Sequence, residues 1–318
     1  MPKKEELLEL LCCPACRGTL VAGQAAEPLL LCMTCGAEYP FHLEIPILLP
    51  PQVHRRAGDG LSHKQRQIAF FDQDSTDDFG ITRPRGAPPL YAWLLHEKFR
   101  RSVMGLEQVL PGGTALTVCG GSGVDAEFLA LGGARVILSD ISLGVMLQAR
   151  ERARRFGLDF TLVVADAEAL PFQDRSIDLV YVHDGLHHLE RPALGLAEMA
   201  RVARHAVSVS EPAAALVTAA AVGLGIAEAE EEAGNRVRRL TLDEITTELS
   251  ARGFQAIQPH RYAMYYRHWP GRMMKVLSIP LVLPLAKATF KLVNRVAGRF
   301  GNKLTVQALR RQRDGGTR

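Results

Sequence analysis

Thr114-Ala115-Leu116-Thr117-Val118-Cys119-Gly120-Gly121-Ser122-Gly123 passes from a β-rich run through a glycine cluster, and Val124-Asp125-Ala126-Glu127-Phe128-Leu129-Ala130-Leu131 follows with helical spacing. The pattern predicts a strand over Ala115–Cys119 and a helix over Val124–Leu131. Glycines at a strand-to-helix turn let a ligand approach the backbone, and the helix N-terminus offers N–H groups without intrahelical partners. Alone this turn also suits a dinucleotide or plain packing. Further along the chain, strands are expected at Arg135–Ser139, Phe160–Ala165, Ile177–Val182 and Val207–Ser210, with helices at Leu143–Phe156 and Ala193–Val202 between them. Ser142 can cap the first of these helices, and Leu143, Met146, Leu147 and Ala153 form its apolar stripe. Such alternation argues for an α/β chain built on a doubly wound, mostly parallel sheet. A sixth strand just before the aromatic cluster that begins at Tyr262 and a closing strand at Lys303–Leu309 would bring that sheet to seven strands.

Carboxylates stand at the expected strand ends. Asp140 ends the second strand, where it could accept the hydroxyls of a ribose, and Asp166 follows the third within Ala165-Asp166-Ala167-Glu168-Ala169-Leu170-Pro171-Phe172. A lone Asp at such a place is commonly a turn residue; the succession of glycine turn, Asp140 and Asp166 is more specific. From about Thr114 to Val202 the chain resembles the class I S-adenosylmethionine-dependent methyltransferases, in particular the small-molecule branch with Ala-Asp-x-x-x-Leu-Pro-Phe. That resemblance implies a Rossmann-like fold with S-adenosylmethionine as cofactor. Gly121 and Gly123 would line its methionine part, Asp140 would hold the ribose, and Ile141 would pack on the adenine. Asp166 would accept from the adenine amino group beside the Ala167 backbone. Two positions depart from the family. Thr117 stands where an acidic residue is usual and Cys119 where the first glycine is, which passes part of that role to Gly120. Ala126 in place of a third glycine argues against a nicotinamide cofactor.

Methyl transfer from a sulfonium is an in-line displacement, so orientation supplies much of the acceleration, with a base needed only when the acceptor keeps its proton late. The fourth strand runs into Tyr181-Val182-His183-Asp184-Gly185-Leu186-His187-His188-Leu189, where the family meets its substrate. His183 and His187 are four apart and are candidate bases, with Glu211 after the fifth strand as a third. Structural roles for these histidines, or a His183–Asp184–His187 metal cluster, are the alternatives.

Tyr262, Tyr265, Tyr266, His268 and Trp269 cluster near the C-terminal end, followed by apolar segments Met273–Ala286 and Phe290–Phe300 carrying Lys275, Lys287, Lys291 and Arg295. Residues of about 263–300 read as a helical flap inserted between the last two strands. Its content suits a small, hydrophobic or lipid-like acceptor, or a shallow peripheral contact with a membrane; simple packing on the domain is the alternative.

At the other end, Cys13-x-x-Cys16 and Cys32-x-x-Cys35 form two knuckles with the spacing of a zinc site. Four thiolates would complete a tetrahedral sphere, so the ion would be structural Zn2+ rather than catalytic. Buried, redox-inert thiols are the competing reading. With Tyr39-Pro40 and Ile45-Pro46-Ile47-Leu48-Leu49, residues 5–50 resemble the small zinc-ribbon proteins that activate methyltransferases, where the ribbon is a stabilising or docking partner. The expected organisation is a ribbon over 1–50, a linker over 51–89 and a methyltransferase domain over 90–318, opening with a helix in Leu90–Leu110.

A charged fraction of 23% and a hydrophobic fraction of 47% allow a sizeable core. The net charge of +4 owes much to a basic tail, Lys303, Arg310, Arg311, Arg313 and Arg318, rather than to a nucleic-acid groove. No run has the length of a transmembrane span, and the opening MPKKEELLELL lacks a signal-peptide core, so a cytoplasmic protein is expected. Two other functions fit parts of the chain. An RNA methyltransferase would suit the ribbon, although no Asn-Pro-Pro-Tyr motif is present; a catalytically inactive regulatory partner would suit Thr117 and Cys119.

Overall fold

A computed structural model of the chain describes residues 4–23, 28–54, 61–73, 77–213, 239–256, 259–266 and 268–311. The end of the basic tail, with Arg313 and Arg318, lies outside them. The helices are α1 (Lys4–Leu10), α2 (His63–Gln73), α3 (Asp78–Thr82), α4 (Pro89–Ser102), α5 (Val124–Leu131), α6 (Leu143–Phe156), α7 (Pro192–Val202), α8 (Leu242–Ala251), α9 (Arg272–Val276) and α10 (Leu283–Ala297). The first four strands are β1 (Leu20–Ala22), β2 (Leu29–Cys32), β3 (Glu38–His42) and β4 (Ile45–Leu48). The central five are β5 (Thr114–Val118), β6 (Arg135–Asp140), β7 (Phe160–Ala165), β8 (Ile177–His183) and β9 (Ala203–Pro212). Last come β10 (Phe254–Ala256), β11 (His260–Tyr262) and β12 (Lys303–Arg310).

Among the described residues these twelve strands form one sheet, ordered β1-β2-β3-β4-β7-β6-β5-β8-β9-β12-β10, with β11 also paired to β12. The expected seven strands are the part from β7 to β12 and its outer edge, where the sixth is split into β10 and β11. The rest of the sheet comes from the N-terminal segment. Strand β4 pairs in parallel with β7, Ile47 facing Val164 and Leu48 facing Ala165, so the N-terminal segment extends the sheet instead of standing apart from it.

The strands obey the period of two that a doubly covered sheet requires. Leu116, Val118, Ile137, Val163 and Val180 face α7, α8 and the ribbon side chains Leu20, Leu30, Cys32 and Tyr39. Ala115, Val136, Leu138, Val164 and Leu179 face α5 and α6 on the opposite side. Helix α6 illustrates the local logic. The Ser142 hydroxyl accepts the Val145 N–H, Met146 and Ala149 are fully buried, and Gly157 ends the helix in the left-handed region at φ 62°.

The described residues of the stretch expected to be a linker are largely helical. Ser62 N–H donates to Gln65 Oε1 and Gln65 N–H to Ser62 Oγ, a reciprocal box that opens α2. Asp77 caps α3. The helix expected over Leu90–Leu110 ends at Ser102, well before Pro111. The completely buried Arg152 of α6 ties these pieces down. Its guanidinium donates to the carbonyls of Gly80, Arg83 and Ser122 and to the Glu127 carboxylate.

The order of strands also places the site. From β5 the chain steps outward through β6 and β7, then crosses back to β8 on the other side of β5. Crossovers therefore leave in opposite directions at the carboxyl ends of β5 and β8, opening a crevice there.

Candidate active site

A cavity of about 380 Å³ occupies that crevice. Gly120 and Gly121 reach it from the turn after β5, Asp140 and Ile141 from the end of β6, and Asp166 and Ala167 from the end of β7. Gly123 does not line it; at φ 83° it begins α5 behind the turn. Gly121, at φ 52°, would have nothing within 4 Å of an added Cβ, so bare backbone faces open space. Gly120 is tightly held: a Cβ there would stand 2.6 Å from Thr117 Oγ1 and 2.9 Å from Leu138. Cys119 adopts φ 52°, the region that glycine favours, and burial pushes its thiol well up. That accounts for the glycine usual at this position.

Asp140 accepts N–H groups from Gly121 and Ser142, both at 3.1 Å, and burial pushes its carboxyl up. A carboxylate with two oxygens retains acceptor capacity beyond those bonds. Asp166 is more fully engaged. One oxygen accepts the Glu168 N–H, and the other takes the Lys64 ammonium, which also pairs with Glu168 at 3.1 Å. Lys64 thus occupies the donor position that the resemblance reserves for an adenine amino group.

Helix α2 contributes more than Lys64. His63, Gln67 and Phe71 also line the cavity, and the buried Gln67 amide has neither its oxygen nor its nitrogen paired. Lys98 of α4, Arg83, Tyr266 and His268 complete further walls. Tyr266 and His268 belong to the aromatic cluster singled out in the sequence; the others were not expected from it. The signal that existed was the Ser62-x-x-Gln65 box, which marks a helix start inside a stretch otherwise rich in breakers.

The three candidate bases separate. His183, at the end of β8, lines the cavity, whereas His187 and Glu211 do not. The buried Glu211 carboxylate accepts the backbone N–H groups of Gly185, Leu186 and His187, and the His187 ring meets it at 2.7 Å. Together they hold the loop after β8. The ring of His188, the next residue, lines the cavity and packs edge-on against Phe71.

His183 has a defined hydrogen-bonding role. Its Nδ1 lies 3.2 Å from Tyr181 Oη, which also meets Asp125 at 3.3 Å and Ser102 Oγ at 2.8 Å. Ser102 Oγ donates to the Phe99 carbonyl, so Tyr181 Oη has one proton to share among Ser102, Asp125 and His183. His183 Nε2 is buried, makes no hydrogen bond and lies 3.7 Å from the Asp184 carboxylate. Burial, then the Lys98 ammonium, hold this histidine well below its usual value. Beside it, burial pushes Asp184 up, but Lys303, His183 and Lys98 together keep its carboxyl well below the usual range.

Away from the cavity, the four sulfurs of Cys13, Cys16, Cys32 and Cys35 lie within 4.8 Å of one another. Cys13 and Cys35 are 3.7 Å apart, Cys16 and Cys32 3.4 Å. Sulfurs bonded at about 2.3 Å around one tetrahedral ion would be about 3.8 Å apart. Cys12 is not part of this set, and burial pushes its thiol up to about 11. His183, Asp184 and His187 form no comparable cluster among the described residues.

Residues 116–208 match the family model of a methyltransferase domain. Over 107 residues the chain is 40% identical to a demethylmenaquinone methyltransferase of Renibacterium salmoninarum, covering 34% of this chain and 44% of that protein. It is 37% identical over 113 residues to a ubiquinone/menaquinone biosynthesis C-methyltransferase of Xanthomonas campestris pv. campestris, covering 34% and 45% respectively. The matched part therefore spans less than half the length of these relatives. Among solved structures, magnesium protoporphyrin IX methyltransferase from Synechocystis PCC 6803 with bound SAH superposes with a TM-score of 0.53 and 17% identity. That match covers 79% of this chain and 100% of the other, and it establishes the Rossmann-like methyltransferase fold.

Proposed function

We infer, from the class I S-adenosylmethionine-dependent methyltransferase domain carried by residues 116–208, that this chain transfers a methyl group to a small hydrophobic acceptor. The observation that carries this reading is the convergence of Gly120, Gly121, Asp140, Ile141, Asp166 and Ala167 on one cavity at the switch point of the sheet. S-adenosylmethionine would supply a methyl group already activated on a sulfonium. Asp140 has acceptor capacity left for ribose hydroxyls, and the bare Gly121 backbone leaves space for the methionine part. Ile141 and Ala167 offer apolar walls to the adenine, with Asp166 at its amino edge once Lys64 yields its place. His183 Nε2 is the group that would take a proton from the acceptor.

An acceptor of quinone type is suggested by the names of the two relatives, and the apolar and aromatic lining from Leu95, Val124 and Tyr266 is compatible with it. Cys13, Cys16, Cys32 and Cys35 would hold a structural Zn2+, a closed set with no position left for substrate. The test is transfer of labelled methyl groups from S-adenosylmethionine into cell extract. Label in the organic-soluble fraction, absent with Asp140→Ala, is the expected result; label confined to RNA, or none transferred, refutes the reading.

A further inference from the structure

Helix α10 turns two different stripes to solvent. Leu285, Leu292 and Val296 recur at positions i, i+7 and i+11, and are 68%, 62% and 72% exposed. Its opposite side, through Leu283, Ala286 and Phe290, packs on Leu90, Leu94 and Tyr262, and Asn294 bonds the Ala263 backbone in both directions. The outward stripe is therefore not a core face left open by poor packing, since the helix already has its own anchorage. The preceding segment continues the apolar surface with Met273, Val276 and Leu281, the last 92% exposed.

The charge on this region has one sign. Lys287, Lys291 and Arg295 follow one another at i, i+4 and i+8, along one flank of the apolar stripe, and Arg272, Lys275 and Arg299 stand nearby. Between Glu248 and Asp314 the chain contains no acidic residue at all. Beneath the face lies a second cavity of about 370 Å³, lined by Leu90, Leu94, Met274, Leu277, Leu285 and Phe290. No helix among the described residues is long and apolar enough to cross a membrane.

An exposed apolar stripe bordered by cations is the arrangement of a helix that lies in the interface of an anionic bilayer. Apolar side chains enter the acyl boundary while the flanking Lys and Arg meet lipid phosphates. We propose that the α9–α10 face docks this protein on anionic phospholipid membranes. Nucleic acid would account for the cations but would leave the apolar stripe in water. The proposal does not rest on the methyl-transfer reading, because its measurement involves no turnover.

The full chain is floated with vesicles of phosphatidylcholine and with vesicles of phosphatidylcholine mixed with phosphatidylglycerol. Binding is expected to the mixed vesicles only, and to weaken with salt. Lys291→Glu with Arg295→Glu should lower partition at least about thirtyfold, from roughly a fivefold effect for each cation near the surface. Leu285→Ser with Leu292→Ser and Val296→Ser should abolish it as well, and the charge pair serves as control should the apolar variant misfold. Absence of binding to the mixed vesicles overturns the proposal. So does binding of transfer RNA that survives the Leu and Val changes but not the charge changes, which assigns the face to nucleic acid. Concentration-dependent dimerisation abolished by the apolar variant would give the face to a second copy, and would overturn it too.

Discussion

His183 is the residue at which chemistry and electrostatics meet. Its ring is held by the Tyr181 contact at Nδ1, and if it is the proposed base its removal should cost turnover and leave binding intact. His183→Ala should lower kcat by about 10² with cofactor affinity nearly unchanged. Burial and the Lys98 ammonium depress its pKa, so the proposed base is already unprotonated across the neutral range. The kcat profile should be flat between about pH 6 and 8, with no limb at the unperturbed value near 6.5. Removing the charge with Lys98→Met should move the acid limb upward, and a profile that stays put would clear Lys98 of any influence. The same shift has a stability counterpart. With the folded pKa below the unfolded one, the unfolded chain binds the proton first as pH falls. Stability from this group is present above about pH 6.5 and declines as pH drops toward the folded value. Denaturation midpoints of wild type and His183→Ala, compared at neutral and acid pH, would show it.

At the scale of elements, Arg152 carries the argument. A side chain of α6 with no exposure holds α3 and the turn after β5 through three carbonyls and Glu127, and burial lowers its pKa to about 10. Arg152→Met should destabilise the fold by about 3 kcal/mol, because the acceptors stay buried without their donor. Urea unfolding measures this, and a loss below about 1 kcal/mol would mean that water or Arg85 replaces it. Elements differ in how legible they were for physical reasons. Phe160–Ala165, Val124–Leu131 and Leu143–Phe156 occur as their periodicity predicts, because their apolar spacing is decided by burial in the sheet and its cover. Helix α2 was hidden because it fully buries only Gln67; Ile68 and Phe71 pack on the core half-buried, an apolar stripe too short to stand out beside polar neighbours. The site divided along the same line. Residues at strand ends were readable from the order of strands. The direction in which His187 points depends on a loop conformation that spacing does not determine, and Glu211, which lies within β9 rather than after it, is turned to that loop's backbone.

For the molecule as a whole, the consequential feature is that the cysteine segment shares a sheet and a core with the Rossmann-like domain. Strand β4 pairs with β7, Cys12 N–H donates to the Pro171 carbonyl, and Gln173 N–H to that of Leu10. Loss of Zn2+ should therefore not release an independent module. Chelation, or Cys32→Ser, should shift one cooperative thermal transition downward, whereas two separate transitions would show that the segment folds alone. Metal analysis of freshly purified, reduced chain should find about one zinc per molecule. The central claim, that S-adenosylmethionine binds at the ends of β5, β6 and β7, is tested most directly by titration calorimetry on the whole chain. Wild type should bind S-adenosylmethionine at a single site. Asp140→Ala should weaken it by about 1.5–3 kcal/mol through loss of charge-assisted hydrogen bonds. Asp166→Ala should weaken it less, since Lys64 and the Glu168 N–H already engage that carboxylate. No heat of binding in the wild type, or full affinity in Asp140→Ala, would contradict the account.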